Sequence, residues 1–91
     1  MPAFPVSAVF DVSYAADPQA ALRILGLFAQ RALVPRGVRI QTVPSGQSAR
    51  ITLADADEHE AEVIAAKLRE MPLVADVTLE FRAERVLARI A

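Results

Sequence analysis

Ninety-one residues, 54% of them hydrophobic, suffice for one domain with a single modest core. Ten Lys and Arg against eleven Asp and Glu, interleaved and netting −1, offer no basic block to neutralise a phosphate backbone, which argues against a nucleic-acid partner. With no cysteine, disulfides, thiolate chemistry and soft-metal sites are removed together, and no apolar run approaches the ~18 residues of a membrane-spanning helix.

Alanine supplies much of the apolar fraction, yet a surplus of Leu, Val and Ile remains and points to an interface on one flank. The start, Met1-Pro2-Ala3-Phe4-Pro5, lacks the positive and apolar segments of a signal peptide, so a cytoplasmic location is the expectation.

Residues 4–14 alternate. Phe4, Val6, Ala8, Phe10, Val12 and Tyr14 share one side, and Pro5, Ser7, Val9, Asp11 and Ser13 the other, which predicts a strand with one buried face and Pro5 at its start or on an edge. From Pro18 the period becomes helical, with Ala21, Ile24, Leu25, Phe28, Ala29 and Ala32 on one arc. Asp17-Pro18 supplies an N-cap and a proline at the first helical position. Leu27 falls among the polar positions, as a residue covered by a loop or as part of a subunit contact. Pro35-Arg36-Gly37 is the expected stop.

Two alternating runs follow, Val38, Ile40 and Thr42 in one and Ala49, Ile51 and Leu53 in the other. The Pro44-Ser45-Gly46 turn joins them into a β-hairpin. A second helix carries the stripe Ala61, Ile64, Ala65, Leu68 and Met71 opposite Glu58, His59, Glu62, Arg69 and Glu70. Asp55 with Glu58, or Asp57 with Glu60, forms its capping box, and Pro72 stops it. A last strand points Ala75, Val77, Leu79 and Phe81 inward, and residues 84–90 add a short helical tail through Val86, Leu87 and Ile90.

The order β-α-β-β-α-β with right-handed crossovers gives an α+β, ferredoxin-like plait: a four-stranded antiparallel sheet with both helices on one face. It forms a single domain over 1–91, with its core at about 4–81 and a C-terminal tail over 82–91.

Many functions use this plait, so each must be sought at its own site. An RNA-recognition sheet needs aromatic residues on its open face, where this chain places Ser7, Val9, Asp11, Ser48, Arg50 and Thr52. A heavy-metal chaperone needs paired thiolates in the first loop. An acylphosphatase-like hydrolase needs an arginine there to cradle an anion, and the loop reads Ala15-Ala16-Asp17-Pro18-Gln19. His59, the lone histidine, lies among glutamates on a polar helix face and reads as a solvated group. The acidic run from Asp55 to Glu62 reads as capping and dipole compensation. No serine has a believable histidine partner, so no catalytic set, metal site or cofactor emerges and a non-enzyme is expected.

The loop and helix from Asp17 to Arg31 place a helix N-terminus beside a strand end, where a small α/β module would bind an anion or amino acid. The run Arg23-Ile24-Leu25-Gly26-Leu27-Phe28-Ala29-Gln30-Arg31, followed by Gly37-Val38-Arg39-Ile40, resembles the ACT family. These are small ligand-sensing regulatory domains of amino-acid metabolism, and the run is most similar to the small regulatory subunits of acetohydroxyacid synthase. The resemblance spans Phe4 to Phe81.

That resemblance implies a non-catalytic regulatory domain of branched-chain amino-acid biosynthesis, a homodimer that associates with a catalytic enzyme subunit. It also implies an amino-acid effector held at the subunit interface by Ala16, Asp17, Pro18, Gln19, Ala20 and the partner copy's counterpart of Val34, and a dimer contact at Leu22, Leu27 and Leu33. Two positions depart from the pattern. Gln19 stands where ligand-binding members carry glycine, and Val34 where the small subunits carry asparagine. The Asp17-Pro18 start is more similar to members with an Asn-Pro helix start, which assemble with a catalytic subunit yet respond poorly to effector. The alternative is an interaction plait that binds no small molecule.

Overall fold

The computed structural model of the chain describes residues 6–83. The elements follow as β1 (Val6–Tyr14), α1 (Ala20–Gln30), β2 (Gly37–Val43), β3 (Gly46–Leu53), α2 (Glu58–Arg69) and β4 (Val74–Ala83). All strand pairs are antiparallel and the sheet order is β2-β3-β1-β4, so the alternating first strand sits in the interior of the sheet beside β3. Phe4 and Pro5, and the helical tail expected over 84–90, lie outside the described residues. β4 continues to Ala83, two residues past the expected end of the core.

One face of the sheet and one stripe of each helix form a common core. Ala8, Phe10, Val12 and Tyr14 of β1 meet Ala49, Ile51 and Leu53 of β3, Ile24 and Phe28 of α1, and Ala61, Ile64, Ala65 and Leu68 of α2. Phe10 and Phe28 stack edge to face with centroids 5.2 Å apart and planes at 86°, a geometry that places a ring's positive edge on its neighbour's negative face. Met71 and Leu27 are half-buried and pack against the same cluster.

Several local expectations are corrected by the backbone. Helix α1 begins at Ala20 because residues 17–20 close a separate turn first, with the Ala20 N–H donating to the Asp17 carbonyl at 3.0 Å. It ends at Gln30, well short of Pro35-Arg36-Gly37. The Leu33 N–H donates to the Phe28 carbonyl (2.9 Å) and the Ala32 N–H to the Ala29 carbonyl (3.0 Å), while Ala32 takes a left-handed conformation at φ 58°. This is a Schellman termination with alanine where glycine is usual. Ala29 and Ala32 are consequently exposed, and Ala20 takes a core position instead.

The α2 cap is Asp57, whose carboxylate accepts from the His59 N–H at 3.1 Å. Asp55 instead adopts φ 54° in the preceding loop, which removes it from a capping box with Glu58. Glu60 does not close a box either, because its Oε2 accepts from Arg31 Nε at 2.7 Å and ties α2 to the end of α1. In β4 the register with β1 shifts between Ser13 and Tyr14, which places Val74 opposite Tyr14 and leaves Ala75 exposed rather than inward. An extra residue in one strand flips the side-chain alternation beyond it.

The hairpin closes as expected, with Pro44-Ser45 between paired Val43 and Gly46. Gly46 has φ 146°, and a Cβ built there would lie 2.5 Å from the Tyr14 carbonyl oxygen. The turn is thereby pressed against the end of β1.

Two stability effects are expected in denaturant melts. Gly46→Ala destabilises by about 1–3 kcal/mol, since both the backbone conformation and the contact with Tyr14 oppose a side chain. Ala32→Gly stabilises by about 0.5–1 kcal/mol, because relief of the left-handed alanine exceeds the added chain entropy.

Candidate functional site

The β1–α1 loop leaves the sheet at Tyr14, where the Ala15 N–H donates to the Leu73 carbonyl at 2.9 Å. Ala16, Pro18 and Gln19 are exposed, Asp17 is half-buried, and Ala20 is packed into the core with no surface left for a ligand. Beside the loop, a concavity of about 360 Å³ lies between Tyr14 and Ala15, the hairpin at Ser45 and Gln47, and Pro72 to Ala75.

A helix N-terminus holds an anion through exposed N–H groups and its dipole. Here the chain supplies its own anion. The Asp17 carboxylate accepts from the Gln19 N–H at 2.8 Å, and the Asp17 carbonyl takes the Ala20 N–H. Pro18 has no N–H. An incoming carboxylate would have to displace Asp17 from these donors and face its negative charge.

Val34 is 87% exposed and lies far from this loop. It borders a concavity with Leu33, Leu53, Ala56 and Asp57. Leu53 pairs with Ala8 near the beginning of β1, whereas the loop follows Tyr14 at its other end. Six residues of strand separate those ends, about 20 Å. One copy of the chain therefore does not bring Val34 and residues 16–19 together.

Of the residues expected at a subunit contact, Leu22 is 68% exposed, while Leu27 and Leu33 are half-buried and already lean on the core. Val38 and Ile40, at 44% and 42%, are the exposed apolar residues of the outer strand β2. The contact expectation did not name them, although the alternation of β2 held the signal: two branched apolar residues on one side of a strand whose order in the sheet was then unknown.

The Tyr14 hydroxyl is buried and has no hydrogen-bond partner among the described residues. Burial pushes its pKa above the ordinary tyrosine value. His59 is exposed on the first turn of α2, as a solvated group would be. Among the described residues, no set of His, Asp and Glu is arranged to hold a metal ion, and no helix is long and apolar enough to cross a membrane.

The model of the ACT-like domain family matches residues 4–86. The chain belongs to the ACT-like domain family. Solved structures share its fold at low sequence identity. The ACT domain from GTP pyrophosphokinase of Chlorobium tepidum superposes with a TM-score of 0.66 at 12% identity, covering 82% of this chain and 84% of that one. The regulatory subunit of aspartate kinase from Thermus flavus gives 0.62 at 18%, covering 84% and 51%. Its ligand-free counterpart from Thermus thermophilus gives 0.63 at 18%, covering 82% and 49%. The ACT-like chain thus spans about half the length of these two kinase subunits. No curated protein matches it in sequence.

The buried hydroxyl of this ACT-like domain generates a pH prediction. A raised folded-state pKa favours the protonated phenol in the native state, so its contribution is present below the unfolded value of about 10 and is lost as pH rises through the folded value. Tyr14→Phe is expected to match or exceed the wild-type chain in stability at pH 7 and to lose less of it above about pH 10. Denaturant melts at pH 7 and at alkaline pH make the comparison.

Proposed function

We propose that this chain is a non-catalytic regulatory domain of amino-acid metabolism that acts as a homodimer and associates with a biosynthetic enzyme. The observation that carries the reading is the family match across residues 4–86. The aspartate kinase regulatory subunits among its structural neighbours support a regulatory role. The run Arg23 to Arg31 supports acetohydroxyacid synthase, the branched-chain enzyme, as the partner.

Pairing has support in the surface. Strand β2 is an outer strand with its far edge unpaired, and it presents Val38 and Ile40. An exposed strand edge with apolar side chains is a template for a second chain. Pairing is also the route by which Val34 of one copy would approach residues 16–19 of the other, since the two lie at opposite ends of β1 within one copy.

The effector, in this reading, is a small amino acid at that composite site, with Asp17 facing its ammonium group. The second reading is a partner-binding domain that takes no small molecule. It is favoured by Asp17, whose carboxylate takes the Gln19 N–H and whose carbonyl takes the Ala20 N–H ahead of α1, and by Gln19 in place of glycine. The domain's role would then be to stabilise an enzyme subunit.

Sedimentation at micromolar concentration is expected to give a dimer, and Val38→Asp with Ile40→Asp a monomer. A wild-type monomer counts against the homodimer reading. Thermal-shift measurements across the amino acids decide between the two readings. A specific ligand raises the midpoint with concentration, and a flat response across all of them leaves the interaction-only domain.

A further inference from the structure

Among the described residues, β2 and β4 each have a neighbouring strand on one side only. The chain treats these two edges differently. In an antiparallel ladder the N–H and C=O of one residue turn to the same side, and that side alternates along the strand. The Val6 carbonyl accepts from the Ala56 N–H, just beyond β3, at 2.7 Å. Val6, Ala8, Phe10 and Val12 therefore direct their backbone groups toward β3. Their opposites on β4 beyond Val6, namely Phe81, Leu79 and Val77, turn theirs away from β1 and out to the free edge. On the other side, the Thr52 carbonyl accepts from the Arg36 N–H ahead of β2. By the same count Val38 and Ile40 turn their backbone groups to the free edge of β2.

On β2 those edge residues are apolar and exposed, which suits strand pairing. On β4 the edge is guarded. Arg69, the last residue of α2, donates from Nη2 to the Val77 carbonyl at 3.0 Å. The contact follows from the tight return after the helix, where the Met71 N–H donates to the Leu68 carbonyl and the Val74 N–H to the Met71 carbonyl. β4 then runs back beside α2 and brings Val77 within reach of Arg69. A basic residue in the last turn of a helix ordinarily answers the dipole, and Lys67, exposed in the same turn, already does so. Arg69 instead lays a guanidinium across the row of groups that a further strand would need. An incoming strand N–H would meet a donor there rather than an acceptor. Exposed Asp76, Glu80 and Arg82 and the register shift beside Tyr14 act on the same strand. Charges and bulges of this kind protect sheet edges from pairing.

We propose that Arg69 is an edge guard: by holding the Val77 carbonyl it bars a second copy of this chain from adding to β4 and confines strand pairing to β2. A chain open at both edges pairs head to tail and propagates, whereas a chain open at one edge closes as a two-fold dimer. Where assembly stops rests on the homodimer reading; the guard itself does not.

Arg69→Ala and Arg69→Met test the proposal, the second keeping an apolar stem over β4 and losing the donors. In sedimentation across a concentration series, both are expected to exceed the wild-type average mass and to climb with concentration. Amide exchange at Leu79 and Phe81 slows by about tenfold in the associated variants, as their N–H groups enter a new ladder. Exchange at Phe10 and Ile64 in the core stays at the wild-type rate. Lys67→Ala removes the same charge from the same turn and keeps the wild-type mass. The wild-type mass by itself decides the homodimer reading, and the difference between the Arg69 variants and wild type decides the guard. The proposal is overturned if both Arg69 variants keep the wild-type mass at every concentration, or if Lys67→Ala associates equally. It is also overturned if association comes with faster exchange in the core, which marks unfolding as the cause.

Discussion

The edge-to-face contact of Phe10 with Phe28 is the joint on which the rest of the structure depends. Phe10 lies in the middle of a strand flanked on both sides by hydrogen-bonded neighbours, and Phe28 lies in the last turn of α1. Their contact ties the first helix to the sheet, and the Schellman turn follows directly, with the Phe28 carbonyl accepting the Leu33 N–H. From there the chain passes to Arg36, whose N–H donates to the Thr52 carbonyl at 2.7 Å. Thus one aromatic pair orders the helix, its exit and the approach to the outer strand.

That arrangement divides the molecule chemically. The helix-side face of β1 and β3 is apolar and closed, so its contribution is stability. What remains for recognition is a set of surfaces the core does not use: the end of β1, the outer edge of β2 and the opposite face of the sheet. At the end of β1, Asp17 answers the helix dipole from within the chain. The local stability gained by that turn, which precedes α1, opposes use of the same donors for a ligand. On the far face, the stems of Arg36, Arg50 and Arg82 wall a floor of Ser7 and Val9.

Much of this was legible in the chain. Alternation in residues 6–14 and 49–53 marked the inward residues of β1 and β3, and the 3.6-residue stripe of α2 marked Ala61, Ile64, Ala65 and Leu68. Local chemistry also placed the hairpin turn. The failures share a cause. Asp55 and Asp57 are equivalent as sequence, and only the backbone path selects Asp57, since Asp55 takes a left-handed conformation. Ala32 falls on the helical arc by its spacing, yet Leu33 packs against the core and the chain turns left-handed at Ala32, past the end of α1 at Gln30. Ala75 lost its inward place to a register shift that period-two counting does not detect.

The candidate sites divide in the same way. By itself the sequence determined the order of elements and the apolar faces. These follow from periodicity and local turn chemistry, which act over a few residues. Only the tertiary structure decided that Asp17 closes on its own helix end, that Val34 and the first loop lie at opposite ends of β1, and that Arg36, Arg50 and Arg82 converge on one concavity. Those residues are remote in the chain, and their meeting depends on strand order and register, which pairing across the sheet establishes.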